Sequence, residues 1–109
     1  MTGYLIILTN TSSKDEAQRI TNALMSKRLA SSVNIIGPIT STYWCKDTIV
    51  TSEEWLCLIK THEDRYNDIE QLIQSTHSYE VPSIVALPVA TGSKSYLDWI
   101  LRETRGGSI

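Results

Sequence analysis

Apolar residues recur along this chain in two rhythms, and each rhythm predicts elements. Tyr4-Leu-Ile-Ile-Leu-Thr9 is a short unbroken run, the pattern of a strand covered on both faces. Ala17, Ile20, Ala23 and Leu24 then return at helical spacing, with Lys14, Gln18, Asn22 and Lys27 on the other side. Ser13-x-x-Glu16 opens that helix as a capping box. The Ser13 hydroxyl takes the Glu16 amide while the Glu16 carboxylate reaches back. The helix should end near Arg28, where basic side chains suit the C-terminal dipole.

From Val33 to Thr61 the rhythm changes. β-branched and aromatic residues crowd two long arms: Thr40, Thr42, Tyr43 and Trp44 on one, Ile49, Val50, Thr51 and Trp55 on the other. The turn falls at Lys46-Asp47-Thr48. Each arm runs to about a dozen residues, roughly twice the usual strand. Gly37-Pro38 breaks the first arm and predicts a bend or bulge at a sheet edge, because proline cannot donate to a ladder. Thr61-x-x-Asp64 reads as the start of a second helix, with Tyr66, Ile69, Leu72, Ile73 and Thr76 at helical spacing. His77–Pro82 is a polar connection, Ser83–Val89 a fourth strand, and Thr91-Gly92 a turn. Ser93 caps a last helix with Leu97, Ile100 and Leu101 on one face and Tyr96 and Trp99 beside it; residues 105–109 should fray.

The order β-α-β-β-α-β-α defines an α+β protein. Its first six elements are the split βαβ of a ferredoxin-like βαββαβ sandwich, followed by an additional C-terminal helix. A hairpin as long as this one overhangs a small domain. Its tip and edges need a further cover, and a second copy of the same chain supplies one. A homo-oligomer is therefore expected, with Tyr43, Trp44 and Trp55 packing its interface, as aromatic residues commonly do.

Composition narrows the partners. The 109 residues make one domain spanning 1–109, with a formal net charge of −2 and no Lys/Arg cluster, which argues against nucleic acid. No charged segment followed by an apolar run marks a secretory signal, and the run Ile84–Ala90 is too short to cross a bilayer. The expectation is a cytoplasmic protein without membrane contact. Cys45 beside the turn and Cys57 far down the second arm lie roughly 20 Å or more apart on such a hairpin, beyond disulfide reach. Two isolated thiols also make no metal-ligand spacing.

Four stretches together resemble one family. They are Val33–Trp44 with Gly37-Pro38, Glu54–Thr61, His77-Ser78-Tyr79-Glu80-Val81-Pro82, and Ala86–Val89 with Tyr96–Ile100. In order and spacing they are similar to the CutA family, the divalent-cation tolerance proteins. The resemblance implies a ferredoxin-like homotrimer whose hairpins pair between subunits, kinship with PII signalling trimers, and binding of copper or another divalent cation. Relatives often carry a cysteine before the valine of the second strand, where this chain has Ser32. They have His-Pro-Tyr, sometimes after a further histidine, where this chain has Thr76-His77-Ser78-Tyr79. Of a Cys-His-His copper set only His77 remains. Relatives usually have glycine in the hairpin turn; Asp47 stands here and tolerates a left-handed conformation.

The candidate chemistry is sparse. His77 is a possible imidazole ligand for Cu(II) or another divalent cation, and Glu80 could add an oxygen, although copper prefers nitrogen and sulfur. Lys60, Tyr79 and Glu80, with Trp44, form the best polar constellation for a cleft between subunits that would take a small anion. No catalytic triad order, glycine-rich phosphate loop or Cys/His cluster is present, and Glu53-Glu54 on a strand point to opposite faces, so an enzyme is not expected. Three readings remain: a metal-binding tolerance trimer, a PII-like small-molecule sensor, and a ligand-free scaffold.

Overall fold

The computed structural model describes residues 2–105. Its elements run β1 (Tyr4–Thr11), α1 (Lys14–Ser26), β2 (Ser32–Cys45), β3 (Thr48–His62), a single 3-10 turn (Glu63–Arg65), α2 (Tyr66–Thr76), β4 (Val85–Pro88) and α3 (Lys94–Arg105). The strands form one antiparallel sheet in the order β2-β3-β1-β4. This is the ferredoxin-like arrangement with one helix added, as the sequence predicts. The fraying expected of the tail falls, beyond Arg105, outside the described residues; Arg105 itself closes α3.

Alternation along the strands sorts residues onto two faces. Ile7 and Thr9 of β1 and Cys57, Ile59 and Thr61 of β3 are fully buried. Beneath α1 and α2, the apolar members among them join Ala17, Ile20, Leu24, Leu29, Ile69, Leu72 and Ile73 in the core. The other face carries Ile6 and Leu8, Leu56 and Leu58, Ile36, and Val85 and Leu87, in register across the four strands. No helix of the core covers this second face. Val85 is 55% exposed, Leu87 52% and Ile36 45%. The unbroken apolar run of β1 predicts cover on both faces; on the second face Tyr4 is buried and Ile6 and Leu8 are half-buried, while Ile36, Val85 and Leu87 stay exposed.

The hairpin runs well past the body. β3 pairs with β1 only over Trp55–His62, so residues 48–54 pair with β2 alone. At about 3.3 Å per residue this overhang is roughly 20 Å long. Its turn is the two residues Lys46 and Asp47, with φ of 50° and 65°. Two left-handed residues in a two-residue loop match the right-handed twist of the strands, and Asp tolerates the conformation. Near the tip Trp44, 73% exposed, faces Ile49, 59% exposed.

The predicted irregularity at Gly37-Pro38 is present as a register shift between Ile36 and Ile39. Its packing was not legible in the sequence: the Trp55 indole lies directly against Gly37. A Cβ there would come within 2.3 Å of Trp55 Cδ1. Trp55 points to the helix side and packs against the core of its own chain.

Three boundaries differ from expectation. α1 stops at Ser26 and Lys27 caps it; Arg28 then takes φ 54°, and the Leu29 amide returns to the Leu24 carbonyl at 3.0 Å. An arginine thus holds the left-handed position usually given to glycine. Thr61 does not begin a helix: it pairs with Leu5 inside the sheet, and its buried hydroxyl donates to the Leu29 carbonyl at 2.6 Å. His62 caps the 3-10 turn instead, its Nδ1 accepting from the Asp64 amide. β4 is also shorter than Ser83–Val89: its ladder with β1 runs only from Leu5↔Pro88 to Leu8↔Val85.

Cys57 lies in the core and Cys45 is exposed at the hairpin tip; neither is in a disulfide. Burial pushes the Cys57 thiol up to about 11. In a Cys45→Ser variant, an alkylating reagent at pH 8 should leave Cys57 unmodified until the protein is denatured. Rapid labelling of the folded variant would show that the core opens easily here.

Candidate functional site

The polar heart of the molecule lies where the connection 77–83 crosses the ends of β1 and α1. Glu16 anchors one half. The Ser13 hydroxyl accepts from the Glu16 amide at 3.1 Å, as a capping box requires. The Glu16 carboxylate, only 2% exposed, does more than reach back. It accepts from the Ser12 amide at 3.1 Å, the Ser12 hydroxyl at 3.2 Å and the Ser78 amide at 2.6 Å. Burial works to raise its pKa, but the Ser78 amide and hydroxyl and the Ser12 amide outweigh it and hold it below the usual carboxylate value.

Glu54 anchors the other half. It is 4% exposed, and its oxygens accept from the Tyr79 hydroxyl at 2.6 Å and the Asn10 side-chain amide at 3.0 Å. Burial, and then the Glu54 carboxylate, push the Tyr79 phenol well above its usual range. Glu53, the preceding residue, is exposed, so the two do lie on opposite faces. His77 stands between the halves. Its Nε2 lies 2.6 Å from the Asn10 carbonyl and its Nδ1 3.1 Å from the Tyr79 amide. A carbonyl can only accept and an amide N–H can only donate. The ring is therefore the neutral tautomer with its proton on Nε2.

The residues singled out from the sequence fall in separate places. Tyr79 and His77 adjoin, their rings 4.9 Å apart. Glu80 is exposed on the same connection. Lys60 is not part of this cluster. Its ammonium donates to Asn34 at 2.8 Å on the bare sheet face, six residues along β3 from Glu54 and so roughly 20 Å away. Within one chain Lys60 and Tyr79 do not share a cleft; only a second copy could bring them together. Trp44 lies further off, at the tip. Tyr43 is on the Glu54 side of the hairpin, its hydroxyl 3.1 Å from that of Ser52. Glu16 and Glu54 were not among the residues singled out. The signal for Glu16 was its place in the capping box. Nothing local marks Glu54, whose partners come from distant segments.

A copper ion at His77 does not fit this geometry. Coordination needs an imidazole lone pair, and the one that the neutral ring has accepts the Tyr79 amide. The His77 side chain is also wholly buried. Among the described residues no three His, Cys, Asp or Glu side chains are grouped so as to hold a metal ion.

An antiparallel sheet in the order β2-β3-β1-β4, with α1 and α2 over its core face, a third helix after β4 and an overhanging hairpin, defines the class of ferredoxin-like α+β proteins. Within it, residues 5–103 match the model of the CutA1 divalent ion tolerance protein family, and the chain belongs to that family. A divalent-cation tolerance protein CutA of Thermus thermophilus is 40% identical over 101 residues, covering 93% of this chain and 97% of that one. The chloroplastic CutA 1 of rice is 32% identical, and the chain spans 57% of its length. Among solved structures, the periplasmic divalent cation tolerance protein CutA of Archaeoglobus fulgidus superposes with a TM-score of 0.90 at 34% identity, over 93% of this chain and 98% of that one. These names place relatives in different compartments. No helix among the described residues is long and apolar enough to cross a membrane.

Proposed function

We propose that the chain acts as a homotrimeric divalent-cation tolerance protein that takes up copper and related ions where its subunits meet. The observation that carries this reading is the bare sheet face. Ile6, Leu8, Ile36, Leu56, Leu58, Val85 and Leu87 form a continuous apolar surface, and Lys60 and Asn34 stand at its margin. A monomer would leave this surface in water beside an overhanging, unpaired strand edge. A second copy carries the same face and the same edge, so it can cover both. Metal uptake follows the family's name. Glu80, exposed beside the junction, offers an oxygen donor that neighbouring copies can complement. The protein has no catalytic role in this reading, and it works in the cytoplasm, where its two free thiols stay reduced.

Sedimentation at micromolar concentration should give three times the 12.3 kDa of one chain. The double variant Val85→Lys, Leu87→Lys places charges where association would bury them, without touching the core, and should sediment as a smaller species. A folded wild-type monomer at that concentration would sink the assembly. Calorimetric titration of the metal-free trimer with Cu(II) tests the uptake. Saturable binding weakened by Glu80→Gln is expected, and no binding would restrict the tolerance role to relatives.

A further inference from the structure

We infer that His77 is a positioning residue, a neutral imidazole latch that fixes the 77–83 connection to β1, rather than a resident metal ligand. The inference stands on geometry. The ring is buried, and each nitrogen has a directional partner of the right kind: Nε2–H donates to the Asn10 carbonyl and Nδ1 accepts from the Tyr79 amide. Both partners belong to one structure. The Asn10 side chain holds Glu54, and Tyr79, one end of whose backbone is held by His77, reaches the same carboxylate with its hydroxyl. Next to it the Ser78 amide is held by Glu16. Successive residues of the connection are thus tied to three different elements: β1 through His77, α1 through Ser78 and β3 through Tyr79.

The latch and a metal compete for the same lone pair. An ion on Nδ1 would have to displace the Tyr79 amide, and an ion on Nε2 would have to remove its proton and abandon the Asn10 carbonyl. Either change leaves a buried backbone group unpaired and frees the connection. Exposed donors elsewhere carry no such cost, so ions should load there first. This holds whether or not the chain binds copper tightly, since it concerns the metal-free fold.

The test begins with wild-type protein. In a two-dimensional 15N–1H spectrum optimised for imidazole couplings, the metal-free protein at pH 7.5 should show His77 as the Nε2–H tautomer. Sub-stoichiometric Zn(II), which is diamagnetic and does not broaden nearby signals, should leave the His77 ring shifts unchanged. A shift of the His77 ring nitrogens to metal-bound values at the first increments of Zn(II) would overturn the inference. The second arm compares His77→Ala and His77→Gln. In both, the Tyr79 and Ser78 amides should exchange with solvent at least tenfold faster, and His77→Gln, which can still donate to the Asn10 carbonyl, should recover part of the protection. Cu(II) affinity should stay within about twofold of wild type. Unchanged exchange, or a tenfold or greater loss of Cu(II) affinity with exchange unaltered, would contradict it. If wild type binds no Cu(II) at all, the proposed uptake fails while the tautomer and exchange results still decide the latch. Should His77→Ala not fold, the wild-type spectra and His77→Gln suffice.

Discussion

Replacing Glu16 by alanine should be among the most damaging single changes in the molecule. The variant would strand the Ser12 and Ser78 amides, both held by that carboxylate at 3.1 and 2.6 Å. Both bonds are part-buried, so water replaces some of what is lost, and a destabilisation of about 1–3 kcal/mol is expected, a sizeable share of the stability of a small domain. The damage should also be local in a recognisable way. The N-terminus of α1 and the connection at Ser78 should lose amide-exchange protection together, although 62 residues separate them in sequence. Denaturation midpoints must be compared at one protein concentration, because association would couple them to it. A midpoint within about 0.5 kcal/mol of wild type would mean that water replaces the carboxylate and that the site is more open than its geometry.

The same carboxylate sets an acid limit. Its folded pKa lies below the ordinary value of 4.5. The unfolded chain therefore binds this proton more readily. The Glu16 contribution is complete above the unfolded value and is lost as pH falls through the folded one. Glu16→Gln should remove that part of the acid dependence: wild type and variant should differ most near neutral pH and converge as the pH falls below 4.5 through the folded value. An unchanged gap down to pH 3 would assign the acid transition to other groups.

The second large effect is expected at Gly37. Its conformation is open to any residue as far as φ is concerned; the constraint is the Trp55 ring. A methyl group would meet Cδ1, Cγ and Nε1 at 2.3, 2.6 and 2.8 Å. The indole is packed against the core and cannot move without opening a gap, so Gly37→Ala should cost about 1–3 kcal/mol through overpacking. Loosening the bulge should also change how the tip is aimed, and so weaken association more than it weakens the protomer. A double-mutant cycle isolates the cause. Trp55→Leu makes room, so Gly37→Ala should be nearly neutral in that background, with a coupling of about 1 kcal/mol or more. Equal costs in both backgrounds would locate the effect in the backbone and not in the ring.

Much of this protein was legible locally. Helical spacing in α1 and α2, the Ser13 cap and the β-branched arms each depend on neighbours a few residues away. They gave the element order, and the order with its short connections leaves few ferredoxin-like alternatives. Lys46 and Asp47 placed the turn for the same reason, although Thr48, counted with them, pairs with Cys45 as the first residue of β3. The apolar run of β1 went further, since it asked for a second cover before any face was seen.

Tertiary structure decided what depends on distant partners. Thr61 had the side chain of a helix cap, but the register against Leu5 kept it in β3, because ladder hydrogen bonds and burial outweigh a cap. Lys60 and Tyr79 looked like companions until the fold tied Tyr79 to Glu54, six residues along β3 from Lys60. Glu54 was weighed only as half of the Glu53-Glu54 pair, yet Asn10 and Tyr79 enclose it from segments 44 and 25 residues away. His77 offered metal-ligand chemistry by residue type alone. Its two ring nitrogens were already assigned once the connection folded against β1. The sequence by itself determined which elements form and in what order. Which polar atoms meet was settled by packing, since long-range hydrogen bonds have no local signature and a side chain's chemistry belongs to the partners that the fold brings to it.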